Sequence, residues 1–155
     1  MLHQEFAATR EIMRRATAER ISLVIRAIPY PCWKCTYDDV AVGAIHVDGI
    51  TDPYQVITTE SGLALDYAAE LLTLAGHPQM TTIKARKSRT AKETYLSNGC
   101  SRCDALFGQF PLSEKLLGVL AAGEVSTLPV LATVKRSAIE WYALIGLSAT
   151  SGNLD

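Results

Sequence analysis

Two pairs of cysteines constrain this chain more than any other feature. They are "CWKC", with Cys32 and Cys35, and "CSRC", with Cys100 and Cys103, and no other cysteine occurs. Four thiolates make the closed tetrahedral shell of a structural zinc. A C-x-x-C pair in a tight turn aims two sulfurs at one ion, while backbone amides donate to them. Two such turns complete the shell. The spacing therefore predicts one structural Zn2+ per chain, held by Cys32, Cys35, Cys100 and Cys103. Such a shell leaves no open position for water, which argues against zinc catalysis. The pairs are separated by 64 residues, 36–99, where a compact ribbon has about 15–20. The expected organisation is a single domain, 1–155, in which residues 36–99 form a subdomain inserted between the halves of the site. The ion would then tie distant parts of the chain together and favour the closed fold.

Other uses of the cysteines stay open. A thioredoxin-like redox pair opens a helix and carries its Trp before the first Cys. Here Trp33 lies between Cys32 and Cys35, and "CWKCTYDDV" reads as a turn running into a strand. Disulfides and an iron–sulfur centre are the remaining readings. A zinc ion with four thiolates is net negative, and Lys34 and Arg102, inside the two turns, offset that charge.

The stretches "PCWKC" and "NGCSRCDALFG" resemble the zinc-ribbon and rubredoxin-knuckle class. "YLSNGCSRCDALFGQFPL" is also similar to the second knuckle of poorly characterised bacterial proteins with two C-x-x-C pairs. The resemblance covers only the regions around the cysteines. It implies a metal-stabilised fold and no activity. Many knuckles of that class place Gly after the second Cys, where this chain has Thr36 and Asp104.

The rest of the chain is ordinary globular sequence, 48% hydrophobic and 20% charged, which argues against wholesale disorder. Net charge is −1, so no global basic field draws the chain to nucleic acid or membrane. The N-terminal stretch mixes acids with arginines and has no long apolar core, unlike a signal peptide. "ISLVIRAIPY" is too short to span a bilayer. The expectation is a soluble, cytoplasmic protein with no membrane partner.

The pattern of elements predicts an α+β fold. It comprises zinc-ribbon-like β-hairpins, an inserted helical segment and a C-terminal helix and strand. A first helix is expected over Gln4–Glu19, from Phe6, Met13 and Ala16 on one face and Arg10 and Arg14 on the other. "RISLVIRAIPY" predicts a strand ending by Pro31, and "DDVAVGAIHV" a second one. "DGITDPYQV" is turn-rich. The central helix lies in "TTESGLALDYAAELLTLAGHP", with Leu63, Tyr67, Leu71 and Leu74 as its apolar face and Gly76 and Pro78 as its stop. "TTIKARKSRTAKETYLSNGC" predicts a strand or hairpin leading into an Asn98-Gly99 turn that aims Cys100 and Cys103. A short helix should follow, with Ser113 as N-cap, a staple of Leu112 and Leu117, and Gly123 as its end. "LPVLATVKRSAIEWYALIG" reads as a late strand with an apolar continuation, and "SATSGNLD" as a frayed tail.

Charge is local. Lys84, Arg86, Lys87, Arg89 and Lys92 cluster in "KARKSRTAK", and no acid occurs between Glu70 and Glu93. Such residues neutralise phosphates, and Ser88 and Thr90 can add hydrogen bonds to them. They also serve as guards of an exposed β-edge. Tyr95, Phe107 and Phe110 are either stacking surfaces for bases or packing beneath the knuckle.

No phosphate loop or nucleophile elbow is present. His3, His46 and His77 are isolated. Asp38, Asp39, His46 and His77 become an acid–base set only if the fold gathers them. The expectation is a small zinc-stabilised binding or adaptor protein. Its partner is a protein or a nucleic acid, met through the basic segment. A small enzyme with a purely structural zinc and a C-x-x-C redox protein are the alternatives.

Overall fold

The β-branched run after Glu19 forms the longest strand, β1 (Arg20–Pro31), and both of its edges are paired. The structure, a computed structural model, describes residues 7–8, 10–11 and 19–152, with side chains described to residue 146. The helix expected over Gln4–Glu19 therefore falls largely outside the described residues, although Ala7, Ala8, Arg10 and Glu11 are helical. Strand β2 (Asp38–Val47) lies antiparallel to β1, from Pro31↔Asp38 to Leu23↔Val47. The register skips Gly43 opposite the Arg26–Ala27 step, which leaves a bulge in β2. The two-residue β3 (Ile57–Thr58) adds to the outer edge of β2. Strand β6 (Val130–Ser137) pairs antiparallel with the other edge of β1, giving the order β3-β2-β1-β6. The sheet draws on chain from before, between and after the two cysteine pairs. Strands β4 (Lys84–Ser88) and β5 (Glu93–Ser97) form a separate two-stranded hairpin.

Helix α1 (Gly62–Leu74) starts at Ser61, whose hydroxyl accepts from the Ala64 amide at 3.2 Å. It buries Ala64, Leu65, Ala68, Leu71 and Leu72. That stripe differs from the expected one, since Leu63 is 45% and Leu74 57% exposed. The alanines face the sheet because a small side chain lets the helix approach closely. Tyr67 packs partly against the core, and its hydroxyl donates to Glu140 at 3.1 Å. Each buried leucine contributes about 2 kcal/mol.

Helix α2 (Gln109–Ala121) begins one turn earlier than its sequence suggests. Ser113 is not its N-cap. Gly108 is, with no side-chain cap, and Ser113 lies inside the helix bonded to Glu60. Pro111 does not block this start, because a first-turn amide has no partner inside the helix. Leu112 is buried, but Leu117 is exposed, so the expected staple is absent. Both α1 and α2 end in the same reverse turn. Gly76 and Gly123 take φ +68°, and the amides of His77 and Glu124 reach back to Leu72 and Val119.

The apolar run after Ser137 does not continue as strand. It becomes α3 (Ala138–Gly152), so residues 148–152 extend a helix instead of opening a frayed tail. Ala138, Trp141 and Leu144 recur at helical spacing and are all buried.

Two main cores result. The first joins Leu23, Ile25, Val42 and Ile45 to α1 and to Trp141 and Leu144 of α3. The second joins Ile28 and Ala41 to Cys32, Cys100, Phe107 and to Leu112 and Leu116 of α2. Ala41 and Val42 are neighbours in one strand and belong to different cores, because alternate side chains point to opposite faces. The cysteines thus sit in the core on the α2 side of the sheet. Among the described residues no helix is long and apolar enough to cross a membrane.

Candidate metal centre

Each cysteine pair closes a turn of the same design. In the first, the amides of Lys34 and Cys35 donate to the Cys32 sulfur at 3.4 and 3.5 Å. In the second, the amides of Arg102 and Cys103 donate to the Cys100 sulfur at 3.4 and 3.5 Å. Around each, the first cysteine's carbonyl accepts from the amide four residues on, Thr36 or Asp104, at 3.0 Å. Its amide donates to the carbonyl five residues on, Tyr37 or Ala105, at 2.9 Å. Thr36 and Asp104 take φ +63° and +66°, the left-handed conformation that glycine supplies in many such turns. The missing glycines do not change the turn; the chain accepts the strain.

The turns face each other. All four sulfurs lie within 4.8 Å of one another. Cys32 to Cys103 is 3.5 Å and Cys35 to Cys100 is 3.6 Å. Bonds of about 2.3 Å to a tetrahedral zinc give sulfur–sulfur edges of about 3.8 Å, whereas a disulfide needs about 2.05 Å. All four are free cysteines. The donor set therefore fits one metal ion. Cys32 and Cys100 are buried, while Cys35 and Cys103 are half-buried. Burial acts to raise the Cys32 thiol, but the amides of Cys35 and Lys34 and the neighbouring thiols bring it down to about 7. Burial pushes Cys100 up to about 12. An ion replacing these protons releases the second thiol from that cost.

Asp39 and Asn98 hold the second turn in place, in roles the sequence did not assign them. Asp39 of β2 accepts from the Ser101 amide at 2.7 Å and the Ser101 hydroxyl at 2.9 Å. Asn98, 2% exposed, does not make a simple turn. Its carbonyl oxygen accepts from the Val42 amide at 2.9 Å and its NH2 donates to the Val42 carbonyl at 3.0 Å. It substitutes for a strand neighbour and locks the second turn to β2. Gly99 pairs with Leu106 in a single bridge, and a Cβ on it would meet the Arg86 guanidinium at 2.2 Å. Glycine is required there by that approach.

The basic segment splits by burial. Arg86 was expected at a partner surface and is instead 8% exposed. Its Nη1 donates to the carbonyls of Thr82 and Ser97 at 2.9 Å, and its Nη2 pairs with Asp104 at 2.7 Å. Strand alternation puts Arg86 and Lys87 on opposite faces, but the sequence could not say which face would be covered. Lys84 is exposed and shares Asp104, at 2.9 Å. Lys92, at φ +55°, helps close the β4–β5 loop. Lys87 and Arg89 are exposed and line a groove of about 1120 Å³ with Tyr30, Trp33, Lys34 and Phe110. Phe107 is not on that surface; it is buried, with its ring 4.3 Å from that of Tyr30. Tyr95 also lines the groove.

The other candidates are dispersed. Asp38 is exposed. His46 is seven residues along β2 from Asp39, about 23 Å at strand rise. The Arg26 Nε donates to its Nε2 at 2.8 Å, so its Nδ1–H donates to the Val47 carbonyl at 2.7 Å. Burial holds His46 neutral by lowering its pKa below 6.5. His77 caps a 3-10 turn, its Nδ1 accepting from the Gln79 amide at 3.0 Å. His3 lies outside the described residues.

No family model, no curated protein and no solved structure matches the chain.

Proposed function

We propose that this chain is a small zinc-stabilised binding protein. Cys32, Cys35, Cys100 and Cys103 hold one Zn2+ that acts as a structural staple, and the basic groove beside it receives an anionic partner. The observation that carries this reading is the convergence of four sulfurs within 4.8 Å, each turn with two amides donating to sulfur. Four thiolates close the shell, which suits a structural ion and leaves no position for substrate. The twin knuckle geometry and the helix-free turns support a metal site over a redox pair. Trp33 bridges the turns, its indole N–H donating to the Leu106 carbonyl at 2.7 Å. The ion and this bond together set the wall of the groove. Lys34, Lys87 and Arg89 on that wall favour a partner bearing negative charge.

Metal analysis of the purified protein tests the central claim. One zinc per chain is expected. Cobalt substitution should give thiolate charge-transfer absorption that Cys100→Ser weakens. Iron in place of zinc, or two disulfides and no metal, overturns the reading.

A further inference from the structure

The groove has a composition that narrows what it can hold. Its basic residues are Lys34, Lys87 and Arg89, and no carboxylate is among the described residues that line it. Two of its rings stand outside the core. Trp33 is 67% and Phe110 74% exposed. Trp33 is also held in place, because its indole N–H is fixed to the Leu106 carbonyl across the two knuckles. An exposed ring with a fixed edge is a preorganised stacking surface. At its floor, Tyr30 lies beneath Lys115, whose Nζ is 5.1 Å from the ring centroid. The volume of about 1120 Å³ exceeds the roughly 300–1,000 Å³ of pockets that enclose one small molecule.

We infer that this groove binds single-stranded nucleic acid. Bases stack on Trp33 and Phe110, and Lys34, Lys87 and Arg89 track the phosphates. The inference rests on the proposed function and names its partner. Duplex bases are already stacked and offer no faces to these rings. An acidic polypeptide would use the cations and leave the exposed rings uncovered. Single strands need both, a cationic track and aromatic platforms.

The test uses the zinc-loaded full chain and a labelled oligothymidylate of about twelve nucleotides, with a matching duplex and polyglutamate as competitors. Binding should quench Trp33 fluorescence, since Trp141 is 2% exposed and shielded. Phe110→Ala, at a position outside both cores, should weaken binding about tenfold with zinc content unchanged. Trp33→Ala should weaken it similarly, and Trp33→Phe should retain most of it. Lys87→Ala and Arg89→Ala should each reduce the log–log salt slope by about 0.7. The inference is overturned if duplex binds as well as single strand, or if Phe110→Ala and Trp33→Ala leave affinity unchanged. Polyglutamate binding through Lys87 and Arg89 without oligonucleotide binding would overturn this inference alone. Binding of neither polyanion would remove the anionic partner from the proposed function as well.

Discussion

Thr36 and Asp104 occupy equivalent places in the two turns, and their substitution should have opposite effects. Both sit in the left-handed region, which costs a residue with a Cβ about 1–2 kcal/mol and a β-branched one most. Thr36 gets little in return, a bond from its own hydroxyl to the Cys35 carbonyl. Thr36→Gly should therefore stabilise the zinc form by about 1 kcal/mol, raising its melting temperature by about 2–4 °C. Asp104 ion-pairs with Lys84 and Arg86, hydrogen bonds that hold its carboxyl below the usual range. Asp104→Gly relieves the same strain but leaves the buried Arg86 without its carboxylate, so the melting temperature should fall. Equal shifts from both substitutions would remove the ion pair from the account. The sequence marked both positions by the absence of glycine. It did not separate them, because Arg86 lies on a strand eighteen residues before Asp104 and meets it only in the fold.

Arg26 and His46 join β1 to β2 on one side of the bulge, and Arg26 also donates to the Leu128 carbonyl at 2.6 Å, tying in the segment before β6. His46 is neutral in this arrangement, with its pKa lowered by burial from 6.5. The unfolded chain takes up the proton near 6.5, and the folded chain only at a lower pH. Stability from this group is therefore complete above pH 6.5 and lost as pH falls toward the lowered value. Denaturation of the native protein and of His46→Gln, compared from pH 8 to pH 5, should show a constant difference above about 6.5. Below it, the native protein should lose ground relative to the variant. Thiolate protonation and metal loss are common to both proteins and cancel in the difference. A difference that does not vary with pH would mean that His46 titrates alike folded and unfolded. At this scale the sequence placed the strands, the central helix and the hairpin well. It misjudged the start of α2 and the helix after Ser137, because burial against the sheet overrode local capping and strand signals.

A metal ion held by the four cysteines would bear unevenly on the whole molecule. The first core, around α1 and α3, contains no cysteine, whereas the second includes Cys32 and Cys100 with Phe107 and the first turns of α2. Removal of such an ion would leave four thiols crowded in that second core. Hydrogen exchange after chelation should show protection lost first in both knuckles, in residues 98–107 and in α2. The β1–β2 pairing beside Leu23 and Ile25 should keep protection longest. Loss at the same rate in both cores would show that the ion staples the entire sheet and not one side of it.

The sequence by itself determined the donor set of the candidate metal centre. Two C-x-x-C pairs carry their ligand geometry locally, since each turn is closed by amides within five residues of its first cysteine. It determined the α+β class as well, because alternation and helical spacing are local patterns. Only the tertiary structure decided which basic residues face solvent. It buried Arg86 against Asp104 and left Lys87 and Arg89 beside Trp33 and Phe110. That choice depends on contacts between segments far apart in the chain, and no local pattern encodes which face of a hairpin will be covered.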